Sequence, residues 1–236
     1  MSATAERPLN IGMLLFDNLD QLDLTGPFEV FARFPNTQIH LVAASLEPVH
    51  SAPGGLKLSP TVTMQDAPQL DIVTVPGGGG VGPLMEDAAT LNFLQKQANG
   101  ARYMSSVCTG ALVLGAAGLL RGYRATTHWL SFDLLELFGA LPVNERVVID
   151  RDRVTGGGVT AGIDFGLALA AEIFGASIAK EIQLMMEYDP APPFASGSPR
   201  NAEKSLVAKV EGEAQVRQAE RRAIAERSSR KLLGLG

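Results

Sequence analysis

The sequence contains very little cysteine, with Cys108 as the single thiol among 236 residues. A lone thiol forms no internal disulfide and builds no multi-cysteine zinc or iron–sulfur site. The count therefore excludes a disulfide-stapled secreted scaffold. It leaves three roles for Cys108, which are a packed core residue, an interchain link or a reactive group.

Long hydrophobic runs and surplus basic charge are also scarce. The longest clean apolar run, residues 111–120, has half the length of a membrane-spanning helix and contains two glycines. No apolar signal core precedes Ile11. The formal net charge of −5 lacks the basic surplus that nucleic-acid binding needs. We therefore expect a cytoplasmic protein that binds neither membranes nor nucleic acid.

The positive charge that is present gathers in one part of the chain. Residues 200–236 carry a net charge of +4, whereas residues 1–199 carry −9. The signs are interleaved within the segment, as Glu220, Arg221 and Arg222 illustrate. This pattern is typical of a solvated helix or of a contact between subunits.

Short apolar segments alternate with longer helical patterns along most of the chain. Four segments are predicted to be strands: residues 9–16, 38–45, 71–75 and 102–107. Six are predicted to be helices: residues 28–34, 83–99, 109–120, 128–138, 161–174 and 178–188. This alternation predicts an α/β fold, a three-layer sandwich with a mostly parallel, flavodoxin-like sheet.

The remaining segments predict two hairpins and an appended helix. Residues 49–63 and 146–155 have short polar turns that suit hairpins. We expect an α/β domain over residues 1–190, followed by a linker and a C-terminal helix over residues 191–236. The apolar stripe of this helix, formed by Leu206, Val207, Val210 and Ala214, must pack on the domain or on a second subunit, and we expect a homodimer.

Cys108 lies where an apolar strand is predicted to turn into a helix rich in alanine and glycine. Small residues flank it, with Ser106 two positions before and Gly110 two positions after. The pattern is similar to the nucleophile elbow of hydrolases, with sulfur in place of oxygen. A thiol at the start of a helix meets amide donors and the positive end of the helix dipole, both of which stabilise the thiolate. We therefore favour a reactive Cys108 over a structural one.

Asp23 is the first candidate partner for the thiol. It stands between two leucines, soon after the first predicted strand. Ligands of an open parallel sheet collect at the carboxyl ends of the strands, so the loop with Asp23 is predicted to approach Cys108. Two roles stay open for Asp23: a proton donor in the site, or the N-cap of the helix that begins near Gly26 and Pro27.

Glycines follow the third predicted strand, in residues 77–82. They match G-x-G-x-x-G, but no acidic residue ends the next strand, where a ribose-binding carboxylate belongs. We predict instead that the amides of Gly78 and Thr109 point at a substrate atom. A second cluster, residues 155–162, either lines the same pocket or allows tight packing.

Histidines are few, and only His128 is a candidate for the site. It opens a predicted helix and is placed to approach Cys108, which leaves a Cys–His pair open. His40 and His50 lie in a strand and a hairpin without the spacing of metal ligands.

Four motifs in order resemble the ThiJ/PfpI superfamily, which is related in fold to class I glutamine amidotransferases. They occupy residues 75–78, 106–110, 124–129 and 157–164, and the match extends from about Leu9 to Tyr188. Within it, residues 22–27 and 188–194 resemble the isocyanide hydratase branch. Thr109 stands where protease members carry histidine, and Asp23 stands where redox-sensing members carry glutamate. Regulators of the AraC type would continue into a helix-turn-helix domain, for which the 37 residues after Pro199 are too few.

The resemblance implies a hydration reaction on an isocyanide substrate. Cys108 would attack the isocyanide carbon to give a thioimidate, Asp23 would serve as general acid and base, and Thr109 and Gly78 would bind the reacting groups. No metal and no organic cofactor is required. Two other functions stay open: a thiol-based redox or carbonyl-stress protein, and a non-catalytic ligand-binding domain.

Overall fold

The computed structural model describes residues 7–234 and is built around a seven-stranded sheet. The strand order is β10-β11-β7-β6-β1-β2-β5. Its members are β1 (Leu9–Leu14), β2 (Thr37–Ala43), β5 (Val62–Thr63), β6 (Ile72–Val75), β7 (Tyr103–Val107), β10 (Val147–Asp150) and β11 (Arg153–Gly156). Every neighbouring pair is parallel except β10 and β11, which form an antiparallel hairpin. The predicted mostly parallel sheet is therefore confirmed.

Four shorter strands lie outside the main sheet. They form two small ladders: β3 (Val49–His50) with β4 (Lys57–Leu58), and β8 (Arg124–Ala125) with β9 (Leu141–Pro142). The hairpin predicted for residues 146–155 is confirmed by β10 and β11. The hairpin predicted for residues 49–63 forms over residues 49–58 only, because Val62–Thr63 joins the main sheet as the parallel strand β5.

Helices cover both faces of the sheet and give the predicted three layers. They are α1 (Gln21–Phe31), α2 (Val81–Leu84), α3 (Ala88–Ala98), α4 (Gly110–Ala116), the 3₁₀ helix η1 (Trp129–Phe138), α5 (Ala161–Phe174), α6 (Ala176–Met185) and α7 (Lys204–Leu232). One layer contains α1, α5 and α6, and the other contains α3, α4, η1 and α7. None of these helices, in the part of the chain described, is long and apolar enough to cross a bilayer.

The burial of the central strands shows where the core lies. Every residue of β6 and β11 is buried, as expected for central strands covered on both faces. Aromatic rings of the α1 layer fill one side, where Phe31 and Phe165 meet edge to face at 5.9 Å between ring centroids. The rigid sheet holds the ends of β1, β6 and β7 in fixed positions.

Three helix predictions were wrong in detail. The first helix begins at Gln21 rather than Phe28, because Asp20 caps it with Oδ1 accepting from the Leu22 amide at 3.4 Å. The single helix predicted over residues 83–99 is two helices, because Asp87 starts a new one by accepting from the Thr90 amide at 2.9 Å. The segment after His128 is a 3₁₀ helix.

The C-terminal helix forms as predicted, but of the predicted apolar stripe only Ala214 is buried. The buried side chains of α7 are Ala214, Arg221, Ala225, Ser228 and Ser229. Leu206, in the predicted apolar stripe, is 42% exposed. Ser228 Oγ donates to the Met85 carbonyl at 2.7 Å, and Arg227 forms a two-point ion pair with Glu86. The second half of α7 is thus fastened to the α/β domain of the same chain.

Candidate active site

Cys108 occupies the sharp turn between β7 and α4. Its φ of 56° lies in the left-handed region that residues with a Cβ rarely adopt. Hydrogen bonds hold both backbone polar groups of Cys108. Its amide donates to the Gly157 carbonyl at 2.7 Å, and Thr127 Oγ1 donates to its carbonyl at 2.7 Å. The predicted strand-to-helix elbow is confirmed, and the second glycine cluster supports it through a carbonyl.

Gly110 permits the close packing of this elbow against β6. A Cβ on Gly110 would lie 2.1 Å from the Val75 carbonyl oxygen, closer than any non-bonded contact allows. The position therefore requires glycine, which explains the small residue noted there in the sequence. Without it, α4 could not start at its present distance from β6.

Asp23 lies in the first turn of α1 with its side chain fully buried. Oδ2 accepts a hydrogen bond from the Gly77 amide at 2.9 Å, whereas Oδ1 meets no partner of regular geometry within residues 7–234. Burial, followed by the nearby charge of Asp20, raises the pKa of Asp23 from 3.8 to about 7. Since Asp20 caps the helix, the N-cap role left open for Asp23 is wrong.

Cys108 and Asp23 are close enough to influence each other's pKa. Burial has the largest effect and raises the pKa of the thiol well above its ordinary value, and the negative charge of Asp23 raises it further. The nearby Thr109 amide acts in the opposite direction on the pKa of Cys108, and the nearby thiol lowers the pKa of Asp23. The expectation of a thiolate favoured by its helix is therefore wrong for the free protein, because Cys108 is 5% exposed and has an acidic neighbour.

Thr109 and Gly78 link the elbow to the loop after β6. The Gly78 amide donates to Thr109 Oγ1 at 3.1 Å. This amide, predicted to point at a substrate atom, is thus already engaged within the protein. The Thr109 amide is close enough to the Cys108 thiol to lower its pKa. The structure thus brings the predicted site residues together at the carboxyl ends of β1, β6 and β7, namely Asp23, Gly78, Cys108 and Thr109.

A cavity of about 370 Å³ opens above the thiol. The side chains that matter for its charge and chemistry are Asp20, Cys108, Thr109, His128, Arg217 and Arg221. Apolar contributions come from Pro53, Leu130 and Val159. The volume and mixed lining suit a small organic molecule.

His128 lines the cavity but acts as a helix cap. Its Nδ1 accepts from the Leu130 amide at 3.3 Å at the start of η1. Burial, then Arg221 and Arg217, lower the pKa of His128 to about 4, so the ring is neutral near pH 7. It therefore provides no imidazolium to pair with a thiolate.

The cavity wall contributed by α7 was missed in the sequence. Arg217, Gln218 and Arg221 of this helix all line the cavity. The positive charge of residues 200–236 pointed to this segment, but its interleaved signs indicated a solvated helix or a contact between subunits. Among residues 7–234, no three His, Cys, Asp or Glu side chains come close enough together to hold a metal ion.

The model of the DJ-1/PfpI family matches residues 10–172. The chain belongs to this family. The DJ-1/PfpI assignment confirms the resemblance to the ThiJ/PfpI superfamily.

Relatives within the DJ-1/PfpI family extend over most of the chain. The isonitrile hydratase of Pseudomonas putida is 55% identical over 95% of this chain and 98% of its own length. The crystal structure of a ThiJ/PfpI family protein from Pseudomonas syringae superposes with a TM-score of 0.90, at 40% identity, covering 95% of this chain and 97% of that one. The HTH-type transcriptional regulator GbdR of Pseudomonas aeruginosa is 32% identical over 77% of this chain, which spans 51% of the regulator.

Proposed function

We propose that this protein is an isocyanide hydratase, which converts an isocyanide, or isonitrile, into an N-substituted formamide. The observation that carries the proposal is the position of Cys108, on a strained strand-to-helix turn that lines a cavity, with the buried carboxyl of Asp23 nearby. The near full-length similarity to the Pseudomonas putida isonitrile hydratase supports the substrate class.

Cys108 acts as the nucleophile in the first half of the reaction. Its sulfur forms a bond to the terminal isocyanide carbon, and the thiol proton passes through Asp23 to that same carbon. The product is a thioimidate, R–N=CH–S–Cys108, which contains every atom of the isocyanide and of the thiol. A carboxyl with a pKa of about 7 suits this task, because it accepts and donates a proton at similar pH.

Water completes the second half. Asp23 takes a proton from water as the oxygen adds to the thioimidate carbon, and it returns this proton to the nitrogen. Cleavage of the C–S bond, with transfer of the remaining hydroxyl proton to sulfur through Asp23, releases the formamide R–NH–CHO and returns the thiol. The net reaction consumes one isocyanide and one water, so its balance needs no oxidant or reductant.

Thr109 and Gly78 position the reacting groups. The Thr109 amide acts to lower the pKa of the Cys108 thiol, so it stabilises negative charge that develops on the sulfur. The hydroxyl of Thr109 holds the Gly78 amide, and the Gly77 amide holds Asp23 Oδ2. The carboxyl therefore keeps one fixed oxygen and one oxygen free for proton transfer.

The test measures formamide production from an alkyl isocyanide by mass spectrometry in H₂¹⁸O. Wild-type protein should place one labelled oxygen in the formamide, and Cys108→Ala should release none. Asp23→Asn should turn over far more slowly, whereas Asp189→Asn, which removes an exposed carboxyl outside the cavity, should match the wild type. Absence of turnover by wild type, or unchanged turnover by Cys108→Ala, would contradict the proposal.

The same experiment separates the two alternative functions. Oxidation of Cys108 to the sulfinic acid by mild peroxide, without isocyanide turnover, would indicate a redox protein. Tight isocyanide binding without a chemical product would indicate a ligand-binding domain.

The proposal extends to compartment and assembly. A nucleophilic thiol needs a reducing environment, which supports a cytoplasmic location. Three large apolar side chains in and after α6 are exposed, namely Leu184, Met185 and Phe194, and a second copy of the chain would cover them as a homodimer. Light scattering of the purified protein should give the mass of two chains, and the mass of one would contradict the dimer.

A further inference from the structure

Arg221 is a buried cation in the wall of the cavity. Only 8% of the residue is exposed. Its guanidinium donates to Ser131 Oγ at 3.2 Å and to the Gly78 carbonyl at 3.4 Å, and both acceptors are neutral. No carboxylate within residues 7–234 lies at ion-pair distance from it.

Two other arginines of α7, in contrast to Arg221, have a carboxylate partner. Arg222 pairs with Asp133, and Arg227 pairs with Glu86, both at the surface. A surface arginine has water around it and needs its partner less than a buried one does. Arg221 is the buried arginine of α7 and so needs a carboxylate most, yet the described chain provides none.

Arg217 adds a second positive charge at the same cavity. It lies one helical turn before Arg221, and like charges at this spacing repel each other. No ion pair joins it to any residue of the described chain. The one acidic side chain that lines the cavity, Asp20, is engaged as the cap of α1. The two guanidinium groups thus give the cavity an excess of positive charge.

We propose that the substrate itself supplies the missing negative charge, and that the cavity takes isocyanides which carry a carboxylate. The isocyano carbon would lie at Cys108, and the carboxylate would bind Arg221, with Arg217 at the outer side. Arginine suits this role because its planar fork binds a carboxylate through two hydrogen bonds. The inference rests on the proposed function and specifies its substrate class.

The experiment compares carboxylates with their own esters. Isocyanoacetate and 4-isocyanobutanoate are each measured beside the methyl ester, which has the same isocyano group and no charge. The ratio of kcat/KM for the carboxylate over that for the ester reports recognition of the charge. Two chain lengths are used so that one can span the distance from the sulfur to the guanidinium.

We expect wild-type protein to prefer a carboxylate over its ester. Arg221→Gln should lower the ratio about 30-fold, as expected for removal of one partner from a buried charge pair. Arg217→Gln should lower it about threefold, since its partner would be more exposed. Because Arg217 is at the surface, this second variant reports on recognition even if Arg221→Gln folds poorly. Arg230→Gln removes an equal charge from an exposed position of α7 and should leave the ratio unchanged.

Each other result overturns the inference. Turnover of the esters without preference for the carboxylates would leave the proposed function intact and exclude this substrate class. An equal loss for carboxylate and ester in Arg221→Gln would assign the arginine to the Cys108 sulfur instead. If neither the carboxylates nor the esters are hydrated, the proposed function fails. Calorimetry on Cys108→Ala then measures whether the cavity binds a carboxylate more tightly than its ester. Equal affinities would contradict the inference that the arginines recognise a carboxylate.

Discussion

The buried carboxyl of Asp23 lies near the thiol of Cys108, and the Gly77 amide is the one regular hydrogen-bond donor to the carboxylate within the described residues. Both groups have raised pKa values, chiefly because burial disfavours the charged form of each; the charge of Asp20 adds to the shift of Asp23, and the charge of Asp23 adds to that of Cys108. The pair therefore titrates as a unit, and its state with one proton is the one that can pass a proton from sulfur to carbon.

The pH dependence of kcat/KM should follow this pair. Activity should rise as the pH passes about 7, where Asp23 becomes able to accept the thiol proton. It should fall again at a pH above the ordinary pKa of a thiol, where the second proton leaves. In Asp23→Asn the limb near pH 7 should disappear from the residual activity. A limb near 3.8 in the wild type would show that the carboxyl is not perturbed.

Folding stability should also depend on Asp23. Its pKa rises from 3.8 to about 7 on folding, so the folded protein binds this proton more tightly than the unfolded chain. Stability is therefore lost as the pH rises from about 4 to about 7, by on the order of 4 kcal/mol if the group acts alone. Urea unfolding across this range should show the loss in wild type and in Asp189→Asn. Asp23→Asn should lack it, and an identical slope in that variant would refute the assignment.

Gly110→Ala should destabilise the protein although alanine favours helices. The new Cβ would meet the Val75 carbonyl at 2.1 Å, so α4 or β6 must move. We expect a loss of about 1–3 kcal/mol in the free energy of unfolding and slower alkylation of Cys108. Gly212→Ala is the matched control, since its Cβ meets nothing within 4 Å and it lies in the exposed part of α7. That variant should gain about 0.5–1 kcal/mol.

Thr109→Val should separate the hydroxyl from the shape of the side chain. Valine leaves the Gly78 amide without its acceptor, and the loss of a buried partner costs about 1–3 kcal/mol of stability. We expect kcat/KM to fall about tenfold as the loop after β6 shifts relative to the thiol. Thr109→Ser retains the hydroxyl and should recover most of both quantities. Equal defects in the two variants would mean that the methyl group, not the hydrogen bond, is what matters.

The sequence predicted the sheet and the elbow because their signals are local. Buried parallel strands are continuous apolar runs, and the turn at Cys108 is marked by small residues that the close approach to Val75 demands. The start of α1 was not predictable in the same way. Asp20 and Asp23 are both of a residue type that caps helices. The structure is needed to show that Asp20 is the cap and that the buried Asp23 accepts a hydrogen bond from Gly77, which is distant in the sequence.

The electrostatics of the site depended on contacts distant in the sequence. The pKa of Cys108 is governed by burial and by Asp23, so the local helix start predicted the wrong direction. The packing of α7 could not be derived from its apolar stripe, because the helix is anchored by serine, alanine and arginine. The role of Arg217 and Arg221 in lining the cavity became visible only once α7 was placed.

In the proposed mechanism, the reacting groups and the α7 wall of the cavity belong to different segments of the chain. The reacting groups come from the turns and helix starts that follow β1 and β7, whereas the far side of the cavity comes from one continuous helical segment. Selectivity can therefore change through substitutions confined to a single stretch while the reacting groups stay untouched. A library of α7 sequences grafted onto this scaffold would be a compact route to catalysts with new substrate ranges.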